Sequence, residues 1–328
     1  MAGGGRGIAP ICPVNACAVV GSQCVYPDVE INEQVVRDLL HEQHRDLADL
    51  ELRFLASGWD NDMWRLGSEL VVRLPLHREA DVLIGHEIDW VAVASSSVTT
   101  LVPQLVRVGE PSRPFSYRWL VMSWIDGTTL AASDEVESAA VARDLGRFLR
   151  ELHRDAPANA PTNRYRGILF AERVELFERH LSLLRNVVDE SIASEIFDEA
   201  LRADPWDRPP QWLHGDPHPL NLIVKHGRLA GVVDWGDICC GDPASDLAIA
   251  WMCCDSATRP VLFEELDQVH ASTWTRARGW ALALALAIAF GENRRSPGAD
   301  PTMLEVALHT LQHIDPALVL GTNLLVTQ

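Results

Sequence analysis

Short apolar runs cut by turns fill the first part of this chain, and long stretches of helical spacing fill the rest. From Ile31 to about Leu47, apolar residues fall at Ile31, Val35, Val36, Leu39 and Leu40, one face of a helix. Glu51–Ala56, Met63–Leu66 and Leu70–Leu74 follow, parted by Gly58-Trp59-Asp60-Asn61 and a polar turn, and predict three antiparallel strands. Asp81–Ala94 has helical length, and Leu105–Val108 and Tyr117–Trp124 add two strands. Beyond Asp126-Gly127 the spacing predicts helices over Ser138–His153 and Phe170–Val188, with loops at Ala156–Thr162 and Trp206–Pro210. Short strands at Leu222–Val224 and Leu229–Val233 interrupt the run. Helices resume at Ser245 and continue through Phe263–Phe290 and Met303–Ile314. The order describes an α+β chain: a small lobe with an antiparallel sheet and a helix over 28–123, then a larger, mainly helical lobe over 124–328. Residues 1–27, rich in Gly and Ala, read as a disordered tail outside the fold.

Charge narrows the partners. With 46 acidic against 28 basic side chains the net charge is −18, which repels nucleic acid and anionic lipid and would attract small cations. No apolar run approaches the roughly 20 residues of a membrane span, and Trp280–Phe290 reads as a buried helix. Arg6 is the only basic residue near the start, and Pro13 and Asn15 break the weakly apolar stretch Ile8–Val20, unlike a secretory signal. The seven cysteines, an odd number that includes the adjacent pairs Cys239-Cys240 and Cys253-Cys254, suit reduced thiols in a cytoplasm. Cys12, Cys17 and Cys24 fit no four-ligand metal site.

The chemistry concentrates in Leu213-His214-Gly215-Asp216-Pro217-His218-Pro219-Leu220-Asn221 and, beyond a hairpin, Val233-Asp234-Trp235-Gly236. This puts a carboxylate on a loop, an amide five residues later, and a second carboxylate past the hairpin. Phosphoryl transfer asks little covalent chemistry of a protein, so positioning and charge neutralisation dominate. One carboxylate can orient an attacking hydroxyl and take its proton. The other, with the amide oxygen, can hold Mg²⁺, a hard cation that prefers oxygen ligands. Singly, each residue could be a turn former or a cap; the order and spacing together point to function.

The run resembles the catalytic loop and metal-binding turn of the aminoglycoside phosphotransferase family, whose fold is similar to that of the protein kinases. The resemblance covers about residues 28–325 and implies a bilobal protein-kinase-like fold. It implies Asp216 as catalytic base, His214 as support behind the loop, and Asn221 and Asp234 as Mg²⁺ ligands. Gly241-Asp242-Pro243-Ala244-Ser245-Asp246 matches a stretch that anchors the segment after the metal turn. Pro217 and Leu220 depart from the commoner leucine and glycine, and a leucine at 220 requires a loop that avoids positive φ there. Thr273–Leu282 looks like actinobacterial-type members, as a helix behind the acceptor pocket.

The same resemblance assigns ATP or GTP to the small lobe. Gly58 and Asn61 fall in the nucleotide-positioning loop, and Arg73 stands where the family usually has a phosphate-gripping lysine. Glu87 is the best partner for Arg73, with Glu79 the alternative. Adenine would be read by backbone groups of Ser123, Trp124 and Ile125, after Met122. The acceptor implied is a hydroxylated small molecule, an aminoglycoside first, with Asp237, Asp242 and the net charge suiting a polycation, although a structural role is the better reading of Asp242. Macrolides, choline-like compounds and sugars are the alternatives, and the chain is expected as a monomer or homodimer. A degenerate kinase fold that binds nucleotide without turnover is the competing reading, which intact Asp216, Asn221 and Asp234 disfavour. A metal-dependent hydrolase would need coordinating histidines, and His214 and His218 lack a hydrolase spacing.

Overall fold

The computed structural model describes residues 30–58, 60–134, 136–293 and 302–320, together with two short paired strands, β1 (Ala18–Val20) and β2 (Gln23–Val25). The disordered tail expected over 1–27 otherwise lies outside the described residues, as do Cys12, Cys17 and Trp59.

Helix α1 (Glu33–Gln43) starts at Asn32, whose side chain accepts from the Val35 N–H at 3.1 Å, and it buries Val36, Leu39 and Leu40. A five-stranded antiparallel sheet follows, built from β3 (Leu52–Ser57), β4 (Asn61–Leu66), β5 (Leu70–Pro75), β6 (Leu105–Gly109) and β7 (Trp119–Ser123), in the order β3-β4-β5-β7-β6. Alternation of side chains gives the sheet two apolar faces. One packs Leu52, Trp64, Leu66 and Val72 with the residues of α1. The other packs Val71, Leu120 and Met122 with Ile84 of α2 (Arg78–Ala94). Helix α2 begins three residues before the expected Asp81, because His77 caps it by accepting from the Ala80 N–H at 3.3 Å.

The second part opens with β8 (Thr128–Thr129) and α3 (Ser138–Leu152), then α4 (Val174–Leu183) and α5 (Glu190–Arg202). Strands β9 (Gln211–Leu213), β10 (Leu222–Lys225), β11 (Arg228–Val232) and β12 (Cys239–Gly241) carry the loops of the cleft. The chain ends in α6 (Ala244–Leu247), α7 (Ile249–Cys253), α8 (Arg259–Glu265), α9 (Ala271–Asn293) and α10 (Thr302–Ile314). Helix α9 lies at the centre against α4, α5, α6 and α10, and its Trp280, Leu282 and Leu286 are buried as their apolar run requires. None of the helices formed by the described residues is long and apolar enough to cross a membrane. The described cysteines Cys239, Cys240, Cys253 and Cys254 are free thiols.

Three features differ from the sequence-based expectation. The helical stretch over Phe170–Val188 resolves into a 3₁₀ turn at Phe170–Arg173 and the shorter α4. Helix α5 follows, capped by Asp189, which accepts from the Ser191 and Ile192 N–H groups. The run over Phe263–Phe290 is broken between Glu265 and Ala271 into two helices. Strands β8, β9 and β12 were not expected; they are only two or three residues long and exist through pairing with distant partners, Thr129 with Ile223 and Leu213 with Cys239.

Candidate active site

Strand β9 pairs with β12, so the loop His214–Asn221 leaves one strand as the segment Trp235–Ile238 enters the other. Between them the β10–β11 hairpin turns on His226 and Gly227, with φ of 52° and 72°, the left-handed pair that a two-residue hairpin requires. Its ladder pairs Leu222 with Val232 and continues as Val233 N–H donates to Asn221 C=O at 2.9 Å. Local pairing thus sets Asn221 beside Asp234.

The loop His214–Asn221 is held from behind by one buried carboxylate. Asp246 accepts from the His214 N–H at 2.7 Å and the Gly215 N–H at 3.0 Å, and His153 Nε2 lies 3.3 Å from it. Gly215 has φ +90°, and a Cβ there would lie 2.1 Å from Asp237 O, so only glycine fits. His214 is fully buried against Trp235; its Nε2 bonds to Val233 C=O at 3.0 Å and its Nδ1 accepts from the Asp216 N–H at 3.3 Å. Those bonds require one neutral tautomer, and burial depresses the pKa of the ring, so His214 orients the loop. Leu220 avoids positive φ, as its bulk demands.

Asp216 projects into the cleft with its carboxylate 3.0 Å from Arg166 Nη2 and 3.4 Å from His218 Nε2. Desolvation opposes its charge, yet His218 and Arg166 outweigh it and hold the carboxyl well below the usual range. A carboxylate held this way stays ionised, so it can accept a hydrogen bond from a hydroxyl and take the proton as the oxygen–phosphorus bond forms. Arg166 had no local signal in the sequence; only the fold brings it to Asp216. Asp237, hydrogen-bonded by Asn163 Nδ2 at 2.7 Å, is pushed up to about 6 by desolvation and by the Asp216 charge. Asp242 does not face the cleft: it is buried, bonded to Arg276 at 2.8 and 3.1 Å. It therefore cannot serve a polycationic ligand.

Asp234 is a non-glycine residue at φ 63°, a strained conformation that aims its half-exposed carboxylate into the cleft. Although desolvation opposes it, contact with Arg73 keeps this carboxyl below the ordinary range. Asp216 and Asp234 are close enough for each charge to be felt at the other. The Asn221 Nδ2 donates to Asp216 C=O at 3.0 Å, which leaves the amide oxygen for another partner. Among the described residues no cluster of three or more His, Cys, Asp or Glu could hold a metal alone. An amide oxygen and a carboxylate fit a cation such as Mg²⁺ that takes its remaining ligands from phosphates and water.

Arg73, on the central strand β5, donates through Nη1 to Glu87 at 2.7 Å and through Nη2 to Asp234. With its amide oxygen turned inward, Asn61 accepts from Arg73 Nη2 at 3.0 Å and Nε at 3.2 Å. One planar fork thus joins strand, helix and the turn at Asp234, a geometry that a lysine ammonium could not reproduce. Glu79 sits instead at the α2 N-terminus, 3.4 Å from His77 and largely exposed. Gly58 N–H donates to Asn61 C=O at 2.8 Å, closing the turn between β3 and β4 over the cleft. At the end of β7, Ser123 N–H donates to Gln104 and Trp124 N–H to Glu69, so adenine would be left with Ile125 N–H and the carbonyls. A cavity of about 330 Å³ lies against Ser123, Trp124 and Ile125, walled on its other side by Val98, Leu101 and Gln104.

Fold and cleft define the class of protein-kinase-like phosphotransferases. The chain superposes on the GDP complex of aminoglycoside 2'-phosphotransferase-IIIa with a TM-score of 0.68 and 16% identity, over 87% of this chain and 99% of that one. The apoenzyme of macrolide 2'-phosphotransferase from Brachybacterium faecium gives a TM-score of 0.59 at 20% identity, over 86% and 98%. At such identities the likeness is one of fold. The chain belongs to the Phosphotransferase enzyme family, which it matches over residues 51–280. It is also 28% identical over 141 residues to an aminoglycoside 3'-phosphotransferase of Escherichia coli, a match covering 41% of this chain and 52% of that protein. The chain thus spans about half the length of this curated relative.

Proposed function

We propose that this protein transfers the γ-phosphoryl group of ATP or GTP to a hydroxyl of a small molecule, with Mg²⁺. The observation that supports it most is that Asp216, Asn221 and Asp234 lie together and that Arg73, fixed by Glu87, bonds Asp234 directly. Asp216 orients the acceptor hydroxyl and receives its proton. Asn221 and Asp234 would hold the cation, which would supply neutralisation of phosphate charge, and Arg73 gives up Asp234 to grip phosphate oxygens while keeping Glu87. Gly58 and Asn61 cover the phosphates, and the backbone from Ser123 to Ile125 receives the base. Free thiols at four described cysteines suit a reducing cytoplasm.

The relatives named above put aminoglycosides first among the acceptors to assay, followed by macrolides, choline-like compounds and sugars. The test is mass-detected phosphorylation of such a panel with ATP and with GTP. A product heavier by one phosphoryl group is the expected result. Nucleotide binding with no product across the panel favours a non-catalytic nucleotide-binding protein.

A further inference from the structure

One buried charge has no part in the reaction described above. Of the three arginines buried among the described residues, Arg73 meets Glu87 and Asp234, and Arg276 meets Asp242. Arg173 is only 3% exposed, yet no carboxylate among the described residues pairs with it, and its Nε has no hydrogen-bond partner. Its guanidinium lies over the Trp280 ring, 5.1 Å from the centroid. Desolvation, and then the charge of Arg166, lower its pKa to about 10, which leaves it a cation at neutral pH. An aromatic face recovers only part of what desolvation costs such a group. A buried donor with no partner calls for an explanation, and an absent anion is a sufficient one.

The neighbour of Arg173, Arg166, is paired but not fully satisfied. Arg166 donates one Nη2 bond to Asp216, and its Nε is buried without a partner. Both arginines stand on the segment between α3 and α4, and Arg173 rests on α9. Arg73, Glu87 and Asn61 belong to the sheet and α2, whereas Arg166, which holds Asp216, and Arg173 belong to the segment between α3 and α4. A polycationic acceptor would set its ammonium groups against these guanidiniums.

We propose that Arg166 and Arg173 form an anion subsite on the acceptor side of Asp216, so that the hydroxyl compound phosphorylated here carries a carboxylate or another compact oxyanion. The inference rests on the phosphotransferase reading of the site and narrows it, away from aminoglycosides. Guanidinium forks match planar oxyanions with paired bonds, and Trp280 fixes the plane of one of them. Arg173 sets specificity, and Arg166 positions both the anion and Asp216.

The test uses the full chain and sulfate as probe. Melting temperatures are measured with Mg²⁺ and saturating ADP or GDP, which fill the nucleotide side, in sodium sulfate against sodium chloride at equal ionic strength. Sulfate strengthens burial in any folded protein, so the readout is the difference: wild type should gain roughly 2–4 °C more from sulfate than Arg173→Met does. Without sulfate, Arg173→Met should melt at or above wild type, because it replaces an unpaired buried charge by an apolar chain of similar length. A lower melting temperature in that variant would mark Arg173 as structural, and an equal sulfate response would place the anion elsewhere; either overturns the proposal. A missing response to both nucleotides in wild type would count against the phosphotransferase reading alone, since the sulfate comparison stands without it. In turnover, glycerate and gluconate should be preferred to glycerol and sorbitol. Arg173→Met should raise KM for the acids about tenfold with kcat little changed, as loss of a charge-assisted bond implies. Preference for the neutral compounds overturns the proposal.

Discussion

Replacing Asp246 by Asn should unfasten the catalytic loop while changing almost no volume. The carboxylate is fully buried and accepts two backbone N–H bonds, from His214 at 2.7 Å and Gly215 at 3.0 Å. An asparagine can satisfy one of those donors with its oxygen, but its NH₂ then faces the other N–H. A hydrogen bond to a charged group is worth about 1.5–3 kcal/mol, and a buried donor left unmade costs about 1–3 kcal/mol. Together these give a loss of about 2.5–6 kcal/mol. For a chain of this size, at roughly 1.5 °C per kcal/mol, that corresponds to a melting temperature lower by roughly 4–9 °C. Differential scanning calorimetry measures the loss, and nucleotide consumption with an identified acceptor should fall in parallel at temperatures where the variant is still folded. A variant that melts within about 2 °C of wild type and turns over normally would refute the idea that Asp246 holds the loop.

Two further outcomes follow from the same loop. Gly215→Ala forces a Cβ to 2.1 Å from Asp237 O at φ +90°, so it should destabilise by about 2 kcal/mol or more and abolish turnover, as read by chemical denaturation and a kinase assay. Asp237 concerns pH: its carboxyl is raised to about 6 in the fold, chiefly by desolvation, against about 3.9 unfolded, so folding favours its protonated form. Its stabilising contribution is present below about pH 4 and is lost as pH rises through about 6. Asp237→Asn, which cannot ionise, should therefore gain stability relative to wild type between about pH 4 and about pH 6, and a gap constant with pH across that window in denaturant titrations would contradict this.

The parts of the site legible in the sequence are those that local geometry sets. Asp216 and Asn221 share one loop, and a single hairpin carries Asp234 back beside them, so their spacing already implied their meeting. Glu87 rather than Glu79 could be preferred because it lies well inside a helix packed on the sheet. Arg166 and Asp246 were different. Arg166 reaches Asp216 across 50 positions and nothing near it announces the contact; Asp246 reaches His214 across 32, and the resemblance marked its stretch as an anchor without naming what it holds. Asp242 carried two readings, and the structure agrees with the structural one; the partner that neutralises it, Arg276, sits 34 residues away on α9. Helix α5 was legible and missed; Asp189 is an ordinary cap, and Ala193, Ile196, Phe197 and Ala200 mark a buried face. Strands β8, β9 and β12 carried no periodicity to read, since two or three residues define none.

The central claim is that Asp216 serves the acceptor hydroxyl and not the nucleotide. Phosphorylated acceptor formed by wild type and by Asp216→Asn should be compared by mass spectrometry, with nucleotide affinity titrated on the same preparations. Loss of the base should lower turnover about 10²- to 10⁴-fold while nucleotide affinity stays within about threefold. Undiminished turnover in the variant, or nucleotide affinity that falls as far as turnover does, would contradict it.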